Sequence, residues 1–403
     1  MSLLIKNCRI YIKDRSCSMN VLIKNRKIAK ISPKKDMSAK SVIDAKNNFL
    51  MPGLIDCHVH LREPGLTHKE DFLTGSMAAA KGGVTTVLDM PNTIPPTTTI
   101  LALEQKRKLA ARSIVNYGLN FGAAVDNISQ IKRAKNIAAV KLYMNQTTGD
   151  MIINDFEVIS DILGASKITI IHAEGESIKN VIDTLAKNKI KNKVHFAHVS
   201  SEKELGYAIS RIPPMEKNQI TVEVTPHHLF MNDSYLQKLG SFAEMKPGLK
   251  KETDQKALWL GIKNGTVDVI ATDHAPHLIE EKKKANYPFG VPGLETMLPL
   301  LLDAYNKGRI SMPEIIRLCC ENPAKIFGIK NKGQIREGYD ADLVIVDLDK
   351  SQQVKNEDLL TKCKWSPFDG MKLKGWPITT IVNGNIVYDK GEIFDIKARE
   401  IDV

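Results

Sequence analysis

Eight short runs rich in valine and isoleucine alternate with helix-like stretches through the middle of the chain. Continuous apolar runs separated by helices indicate parallel strands that are buried on both faces. Eight such units over about 250 residues favour a closed (β/α)8 TIM-like barrel over an open doubly wound sheet. The runs occupy residues 50–58, 84–90, 117–124, 139–144, 168–173, 194–199, 220–225 and 267–271.

Both ends of the chain show a different pattern, in which short strands are separated by turn residues. Residues 3–31 contain three such strands, and residues 333–394 return to the same pattern, with Asn383-Gly384 as a hairpin turn. Neither end is long enough to fill a core alone, so we expect both to form one small β-sandwich with the barrel inserted between them. The expected domains are residues 1–50 and 333–403 for the sandwich and residues 51–332 for the barrel.

Side chains able to bind metal recur where the predicted strands end, and this end of a barrel is its active-site face. His58 and His60 share one face of the first run, because side chains alternate along a strand. The fifth, sixth and eighth runs end in His172, His198 and Asp273. Any one of these alone is more often a structural residue. Together they predict a metal centre, since imidazole and carboxylate are ligands that suit zinc.

Lys141 lies inside the fourth run and has two interpretations. In the first, its stem packs in the strand while the ammonium reaches solvent. In the second, the amine has reacted with carbon dioxide and become an anionic carbamate that bridges two cations. Burial beside metal ions lowers the pKa of an amine and favours that reaction. The sequence alone leaves both interpretations open.

The seventh run adds an acid and a pair of histidines. Glu223 lies within the run, and His227 and His228 follow Pro226. The acid can pair with a lysine inside the barrel, and the histidines can be structural. Either can also supply a further metal ligand.

Composition excludes several classes of protein. Hydrophobic residues make up 43% of the chain and charged residues 26%, as in an ordinary globular protein. The six cysteines form no Cys-x-x-Cys pair, which argues against a zinc ribbon or a redox centre. No apolar run approaches the roughly 20 residues of a membrane span, and Lys6 comes too early for a secretion signal. We therefore expect a cytoplasmic protein that does not bind membranes.

The net charge of +11 does not by itself identify a partner. The lysines occur in short scattered runs with few aromatic residues between them, and no recognition-helix pattern accompanies them. We interpret most of this charge as solvated surface and expect no nucleic-acid partner.

Five strings of residues closely resemble the dihydroorotases, which are cyclic amidohydrolases of the amidohydrolase superfamily. The strings are DCHVHLREPG at 56–65, GGVTTVLDMPNT at 82–93, VEVTPHHLF at 222–230, ATDHAPH at 271–277 and PGLET at 292–296. The resemblance covers essentially the whole chain and implies the same barrel with a β-sandwich. It also implies the reversible conversion of N-carbamoyl-L-aspartate and (S)-dihydroorotate in de novo pyrimidine (UMP) biosynthesis.

The resemblance implies a centre of two zinc ions, with a third ion in some relatives. The first ion is held in that pattern by His58, His60 and Asp273, and the second by His172 and His198. Lys141 resembles the carbamylated lysine that bridges both ions in one branch of the family, whereas another branch bridges with aspartate. Asp273 also matches the general acid and base. The third ion of some relatives is matched by Glu223 and His228.

The resemblance also implies a substrate site. Arg62, Asn92 and His277 match residues that hold the substrate carboxylate, and the guanidinium of an arginine can grip a carboxylate with two hydrogen bonds. The main chain near Pro292 matches a contact to the ring amide. Family members often place another substrate arginine after the segment that matches Lys246-Pro247. This chain has Lys250 and Lys251 nearby and no arginine, so it departs from the family pattern at this contact.

Three alternatives remain beside a dihydroorotase. A hydantoinase or dihydropyrimidinase acts on uncharged rings, which give Arg62 no carboxylate to bind, whereas an allantoinase is harder to exclude. A metal-free scaffold for aspartate transcarbamoylase is a second class, although here all six ligand positions are filled. The expected partners are a small dicarboxylate substrate and either further copies of the chain or aspartate transcarbamoylase.

Overall fold

Five strands precede the barrel in the computed structural model, which describes residues 2–12, 15–34, 36–146, 151–210 and 219–403. These strands are β1 (Ser2–Ile12), β2 (Arg15–Lys24), β3 (Lys27–Ser32), β4 (Ser41–Asp44) and β5 (Phe49–Pro52). β1 pairs antiparallel with β2 and parallel with β4 and β5. This part of the chain therefore forms a sheet before the barrel begins.

The barrel strands follow in the predicted order. They are β6 (Leu54–Val59), β7 (Val84–Asp89), β8 (Asn116–Leu119) with its continuation β9 (Phe121–Gly122), β10 (Val140–Tyr143), β11 (Ile168–His172), β12 (Lys193–Phe196), β13 (Ile220–Val224) and β14 (Val269–Ile270). Every residue of β6 and β7 is buried, as expected for strands covered on both faces. The prediction of a barrel of eight strands is confirmed.

All neighbouring barrel strands run parallel. The ring closes between its last and first strands, where Val59 bridges His274 and the His60 backbone N–H donates to the His274 carbonyl at 2.8 Å. The eighth run forms a strand of only two residues, because the chain turns at Asp273, which has a positive φ of 46°. Closure thus places Asp273 beside the end of β6.

Helices between the strands form the outer layer. They are α1 (Phe72–Lys81), α2 (Ile100–Ala110), α3 (Ile128–Arg133), α4 (Phe156–Ala165), α5 (Glu176–Lys187), α6 (Glu202–Ser210), α7 (Pro226–Phe230), α8 (Ser234–Leu239), α9 (Glu252–Lys263), α10 (Ile279–Lys282), α11 (Met297–Asn306), α12 (Met312–Ile316) and α13 (Asn322–Ile326). In α5 the buried residues Ile178, Val181, Ile182 and Leu185 repeat at helical spacing and face the barrel. α1 begins at a capping box in which Asp71 accepts from the Thr74 backbone.

The C-terminal strands join the sheet that the N-terminal strands began. They are β15 (Leu343–Gln353), β16 (Lys372–Val382), β17 (Asn385–Asp389) and β18 (Glu392–Ile393). β15 pairs antiparallel with β5, which gives one sheet in the order β18-β17-β16-β15-β5-β1-β2-β3, with β4 beside β1. The expected joining of both chain ends is confirmed. The domain boundaries themselves stay a prediction, and β5 spans the one expected at residue 50.

Residues 354–371, which connect β15 to β16, lie against the barrel loops; we call them the crossover segment. Trp365 Nε1 donates to the His277 carbonyl at 2.7 Å. The Leu360 N–H donates to Glu295 at 2.8 Å, and the Thr361 hydroxyl donates to Glu70. The C-terminal part of the chain therefore fixes loops on the face where the metal centre is expected.

In the part of the chain that the structure describes, none of the helices has both the length and the apolar composition of a membrane span.

Candidate metal centre and adjoining cleft

The first histidine pair converges on Asp273. His58 Nε2 and His60 Nε2 lie 3.3 Å and 3.1 Å from the same oxygen, Asp273 Oδ1. All three side chains are buried. Burial by itself raises the pKa of Asp273, but His58 and His60 outweigh it and hold the pKa below its ordinary value. Asp273 is therefore an anion among imidazoles, as a metal site requires.

The second histidine pair lies next to the first. His172 Nδ1 and His198 Nε2 are 2.8 Å apart, and the rings of His58 and His198 have centroids 5.2 Å apart. The other ring nitrogens, His172 Nε2 and His198 Nδ1, are buried without a hydrogen-bond partner among the described residues. Burial lowers the pKa of both histidines, so both rings are neutral, as metal-binding imidazoles are.

Lys141 points into the same centre from β10. Its side chain is fully buried, and Nζ has no hydrogen-bond partner in the described residues. The interpretation in which the ammonium reaches solvent therefore does not hold. Burial lowers the pKa of Lys141 to about 8, against the opposing effect of Glu223 and Asp273. A neutral amine is the form that reacts with carbon dioxide, so its environment suits a carbamate.

These residues fit a divalent metal centre. Ligand atoms of His58, His198 and Asp273 lie within 4.8 Å of one another. The buried unpartnered nitrogens of His172, His198 and Lys141 lie beside them. Zinc enzymes bind their metal with histidine nitrogens and carboxylate oxygens of this kind, which come from separate strands and meet in a buried site.

Backbone strain accompanies the site. Asp273, His198 and Arg62 all have positive φ, at 46°, 38° and 62°. Residues with a β-carbon avoid this region, so such conformations persist where surrounding contacts impose them and often occur at functional sites. The turn at each strand end thus aims a side chain at the cavity.

Glu223 lies beneath the ligands and accepts four hydrogen bonds. Its oxygens contact His58 Nδ1 at 2.8 Å, the His198 N–H at 2.9 Å, His195 Nε2 at 3.2 Å and Cys57 Sγ at 3.5 Å. A carboxylate on the far nitrogen of a histidine fixes the tautomer and orientation of that ligand. Glu223 is thus placed to orient His58. Sequence reasoning missed His195 and Cys57, because nothing in their spacing marks them.

His228 does not share a hydrogen bond with Glu223. Its Nδ1 lies 2.8 Å from the Thr225 hydroxyl, and its Nε2 lies 3.1 Å from the Pro247 carbonyl. Both nitrogens are therefore engaged by neighbours. His227 beside it has a buried Nε2 without a hydrogen-bond partner in the described ranges. The additional metal on Glu223 and His228 stays a prediction.

A narrow cleft opens next to the metal centre. Its lining residues are His60, Arg62, Asn92, Lys246, Asp273, Ala275, Phe289 and Gly290. Asn92 Oδ1 lies 2.7 Å from His60 Nδ1, so Asn92 contacts both a ligand and the cleft. Pro292 lies apart from this lining, in a small neighbouring cavity with His274 and Gly293.

Arg62 is 2% exposed, and its hydrogen-bonding neighbours are not carboxylates. Nε donates to the Pro276 carbonyl at 3.2 Å, and an Nη atom lies 3.1 Å from His277 Nε2. Among the described residues, no Asp or Glu oxygen lies within ion-pair distance of this guanidinium. A buried cation without an anion is costly, so the cleft favours an anionic ligand.

His277 lies behind Arg62, in contact with it. Its Nδ1 lies 3.1 Å from Lys69 Nζ, and its Nε2 lies 3.0 Å from the Phe289 carbonyl. Burial, Arg62 and Lys69 all lower the pKa of His277, which is therefore neutral. Sequence reasoning missed Lys69 and its ion pair with Glu281 at 3.0 Å, which only the folded chain brings together.

Comparisons with known proteins agree with this architecture. Residues 49–387 match the model of the amidohydrolase family. A dihydroorotase of Methanosarcina acetivorans is 36% identical over 96% of this chain and 92% of its own length. A dihydroorotase of Methanothermobacter thermautotrophicus is 35% identical over 98% of this chain and 96% of its own.

Solved structures show the same fold. The L-hydantoinase (dihydropyrimidinase) from Arthrobacter aurescens superposes with a TM-score of 0.93 at 29% identity, covering 100% of this chain and 99% of that one. A D-hydantoinase (dihydropyrimidinase) from Thermus sp. has a TM-score of 0.86 at 22% identity, covering 98% of this chain and 97% of its own. The chain is a cyclic amide hydrolase that belongs to the amidohydrolase family, among relatives named dihydroorotase.

Proposed function

We propose that the chain interconverts N-carbamoyl-L-aspartate and (S)-dihydroorotate in pyrimidine (UMP) biosynthesis. The observation that carries this proposal is the buried guanidinium of Arg62, which lines the cleft beside metal-type ligands and has no carboxylate partner among the residues that the structure describes. Dihydroorotate is a cyclic amide with one carboxylate. The cyclic amide therefore matches the metal-type ligands, and the carboxylate matches Arg62. The names of the relatives support the same substrate.

The metal ligands in this proposal are the residues that converge at the strand ends. Two zinc ions would be held by His58, His60, His172, His198, Asp273 and a carbamate formed on Lys141. When bound, such ions polarise a carbonyl group and lower the pKa of water towards neutrality. Glu223 orients His58, and Asn92 orients His60 from its other nitrogen.

Asp273 is the proposed general acid and base. Its Oδ1 faces His58 and His60, and its side chain also lines the cleft, so one carboxylate contacts both the ligands and the reacting space. In ring opening, Asp273 accepts a proton from water as the ring carbonyl is attacked, and then delivers it to the departing ring nitrogen. Ring closure uses the same proton in reverse.

The carboxylate of the substrate is held, in this proposal, by Arg62, Asn92 and His277. Arg62 and Asn92 line the cleft, where a guanidinium can form a bidentate pair with a carboxylate. His277 contacts that guanidinium from behind the cleft lining. Holding the carboxylate fixes the ring carbonyl relative to the metal ligands, which lowers the entropic part of the barrier. The ring-amide contact from the main chain at Pro292 is the weaker part of the proposal, because Pro292 lies outside the cleft lining.

Hydantoinase or dihydropyrimidinase activity is the second candidate, favoured by the L-hydantoinase that superposes over the whole chain. Arg62 argues against it, because hydantoin and dihydrouracil would leave a buried cation unpaired. An allantoinase remains a third candidate. A scaffold without activity is disfavoured, since none of the predicted ligands has been replaced.

A substrate panel tests the proposal. Purified protein is given dihydroorotate, allantoin, hydantoin and dihydrouracil in parallel, each reaction is followed by ultraviolet absorbance, and the metal content of the same sample is measured. We expect dihydroorotate to have the highest kcat/KM, in a sample that holds zinc. A fully metallated sample that fails to turn over dihydroorotate would show that the proposed function is wrong.

A further inference from the structure

A second cation, Lys246, lines the same cleft as Arg62. Lys246 lies between Ala243, where a 3₁₀ turn ends, and α9, and its side chain forms part of the cleft lining. It is half-buried, and its ammonium lies 4.8 Å from the centre of the Phe289 ring. The ring contact directs the side chain along the cleft wall.

Lys246 has no carboxylate of its own within ion-pair distance among the described residues. Of the lining residues that the structure describes, Asp273 is the acid, and its carboxylate is already engaged by His58 and His60. Two cations therefore line the cleft, and in the described ranges of the chain no carboxylate lies within ion-pair distance of either. Such an arrangement concentrates and binds a small anion.

The neighbouring lysines do not occupy this position. Lys250 lies outside the cleft lining, and its backbone carbonyl accepts from the Asp233 N–H at 2.9 Å. Lys251 is exposed at the start of α9. The lysine that lines the cleft is thus Lys246, four positions before Lys250, which the sequence placed near the position of the family arginine.

We propose that Lys246 is a second carboxylate-binding residue and, with Arg62, sets the preference for rings that carry a carboxylate. This inference rests on the proposed function. Both cations line the space in which the substrate carboxylate would lie, so an uncharged ring leaves both without an anion. The ammonium contributes to binding of the ground state and the transition state alike, because it is remote from the bond that breaks.

Three variants test the role of Lys246. Lys246→Met keeps a flexible stem over Phe289 and removes the charge, and Lys246→Arg restores a cation. Lys250→Met is the matched control, since it removes a half-buried lysine from the same segment outside the cleft. KM and kcat for dihydroorotate are measured at low and high salt, and binding of dihydroorotate to each protein is measured by calorimetry.

We expect Lys246→Met to raise KM and the calorimetric Kd about 10- to 100-fold, as for loss of a charged hydrogen bond, with kcat changed less than about threefold. Lys246→Arg should recover most of the affinity, and Lys250→Met should resemble the parent protein. The salt dependence of KM should weaken in Lys246→Met.

Other outcomes separate the two proposals. Normal KM and Kd in Lys246→Met, or equal losses in Lys250→Met, would overturn the role of Lys246 and leave the proposed function intact. Binding of dihydroorotate without turnover would overturn the proposed function, and the role of Lys246 would then be decided by the calorimetric Kd. Absence of any binding by the parent protein would overturn both.

Discussion

Glu223 shows how a single residue can organise the metal centre without facing the cleft. It is fully buried, and its carboxylate accepts hydrogen bonds from four donors: the side chains of His58, His195 and Cys57 and the backbone N–H of His198. Burial raises the pKa of Glu223, but the histidines around it dominate and hold the pKa well below its ordinary value. A permanent anion there keeps the Nδ1 proton on His58 and leaves Nε2 free as a ligand.

Replacement of Glu223 by Gln is therefore expected to weaken metal binding. The amide N–H₂ would face N–H donors where the carboxylate accepts, so His58 would lose its orientation. We expect the affinity for zinc to fall about 10- to 100-fold, measured by competition with a chromogenic chelator. Glu295→Gln is the control, because Glu295 is also a buried carboxylate but binds Lys81 and the crossover segment. Unchanged zinc affinity in Glu223→Gln would contradict this role.

Replacement of Asp273 by Asn tests the proton-transfer role. Asn keeps the shape and one carbonyl oxygen but cannot accept a proton, so we expect turnover of dihydroorotate and N-carbamoyl-L-aspartate to be lost together. Zinc content, measured on the same sample, should stay largely intact because the other ligands remain. Near-normal rates in either direction would show that another group is the base.

For single residues, the sequence predicted where the metal-type ligands lie better than it predicted which residues form hydrogen bonds with them. His58, His60, His172, His198 and Asp273 could be located because a strand end fixes where its last side chain lies. Their partners could not, because the contacts depend on how distant segments meet. Glu223 lies 165 residues from His58, and Lys69 lies 208 residues from His277.

The loop after α10 supplies Phe289 and Gly290 to the cleft lining. Lys282, the last residue of α10, is fully buried, and its Nζ donates to the carbonyls of Glu244, Pro288 and Gly290 at 3.0, 2.9 and 3.2 Å. Gly290 lines the cleft, and its φ of 135° together with a close approach to Ala275 excludes other residues. One ammonium thus holds the segment that bears Phe289 and Gly290.

Lys282→Met is expected to loosen this loop. It leaves the buried Gly290 carbonyl and the half-buried Glu244 and Pro288 carbonyls without their donor, so the free energy of unfolding should fall by about 1–3 kcal/mol. KM for dihydroorotate should rise as well, because the cleft wall is no longer held. Chemical denaturation and steady-state kinetics measure both effects. The neighbouring exposed Lys283→Met should change stability by less than about 0.5 kcal/mol, and an equal loss in both variants would refute the account.

The apolar runs predicted the elements of the barrel but not all of their lengths. Burial on both faces makes a run continuous, which is why β6, β7 and β10 to β13 could be located. The eighth run was expected to extend over residues 267–271, and it shortens to Val269–Ile270 because Asp273 turns the chain. The crossover segment lacks any periodic pattern, so its packing on the barrel was not predictable.

For the whole molecule, the joining of both chain ends determines how the barrel is held. β5 and β15 pair directly, so the sheet closes across the inserted barrel, and the crossover segment extends from that sheet to the loops of the metal centre. The sequence predicted that the two chain ends form one sheet domain, because each end has a pattern of short strands and neither has enough apolar residues for a core of its own. The path of the crossover segment depends on tertiary contacts alone.

Metal-dependent turnover of dihydroorotate is the central claim for the whole molecule. The most direct measurement is the rate of dihydroorotate turnover by the purified protein before chelation, after chelation and after zinc is returned. We predict that chelation abolishes turnover and that about two zinc ions per chain restore it, because the strand-end ligands form one buried centre. Full turnover by protein without metal, or no turnover by fully metallated protein, would contradict the account.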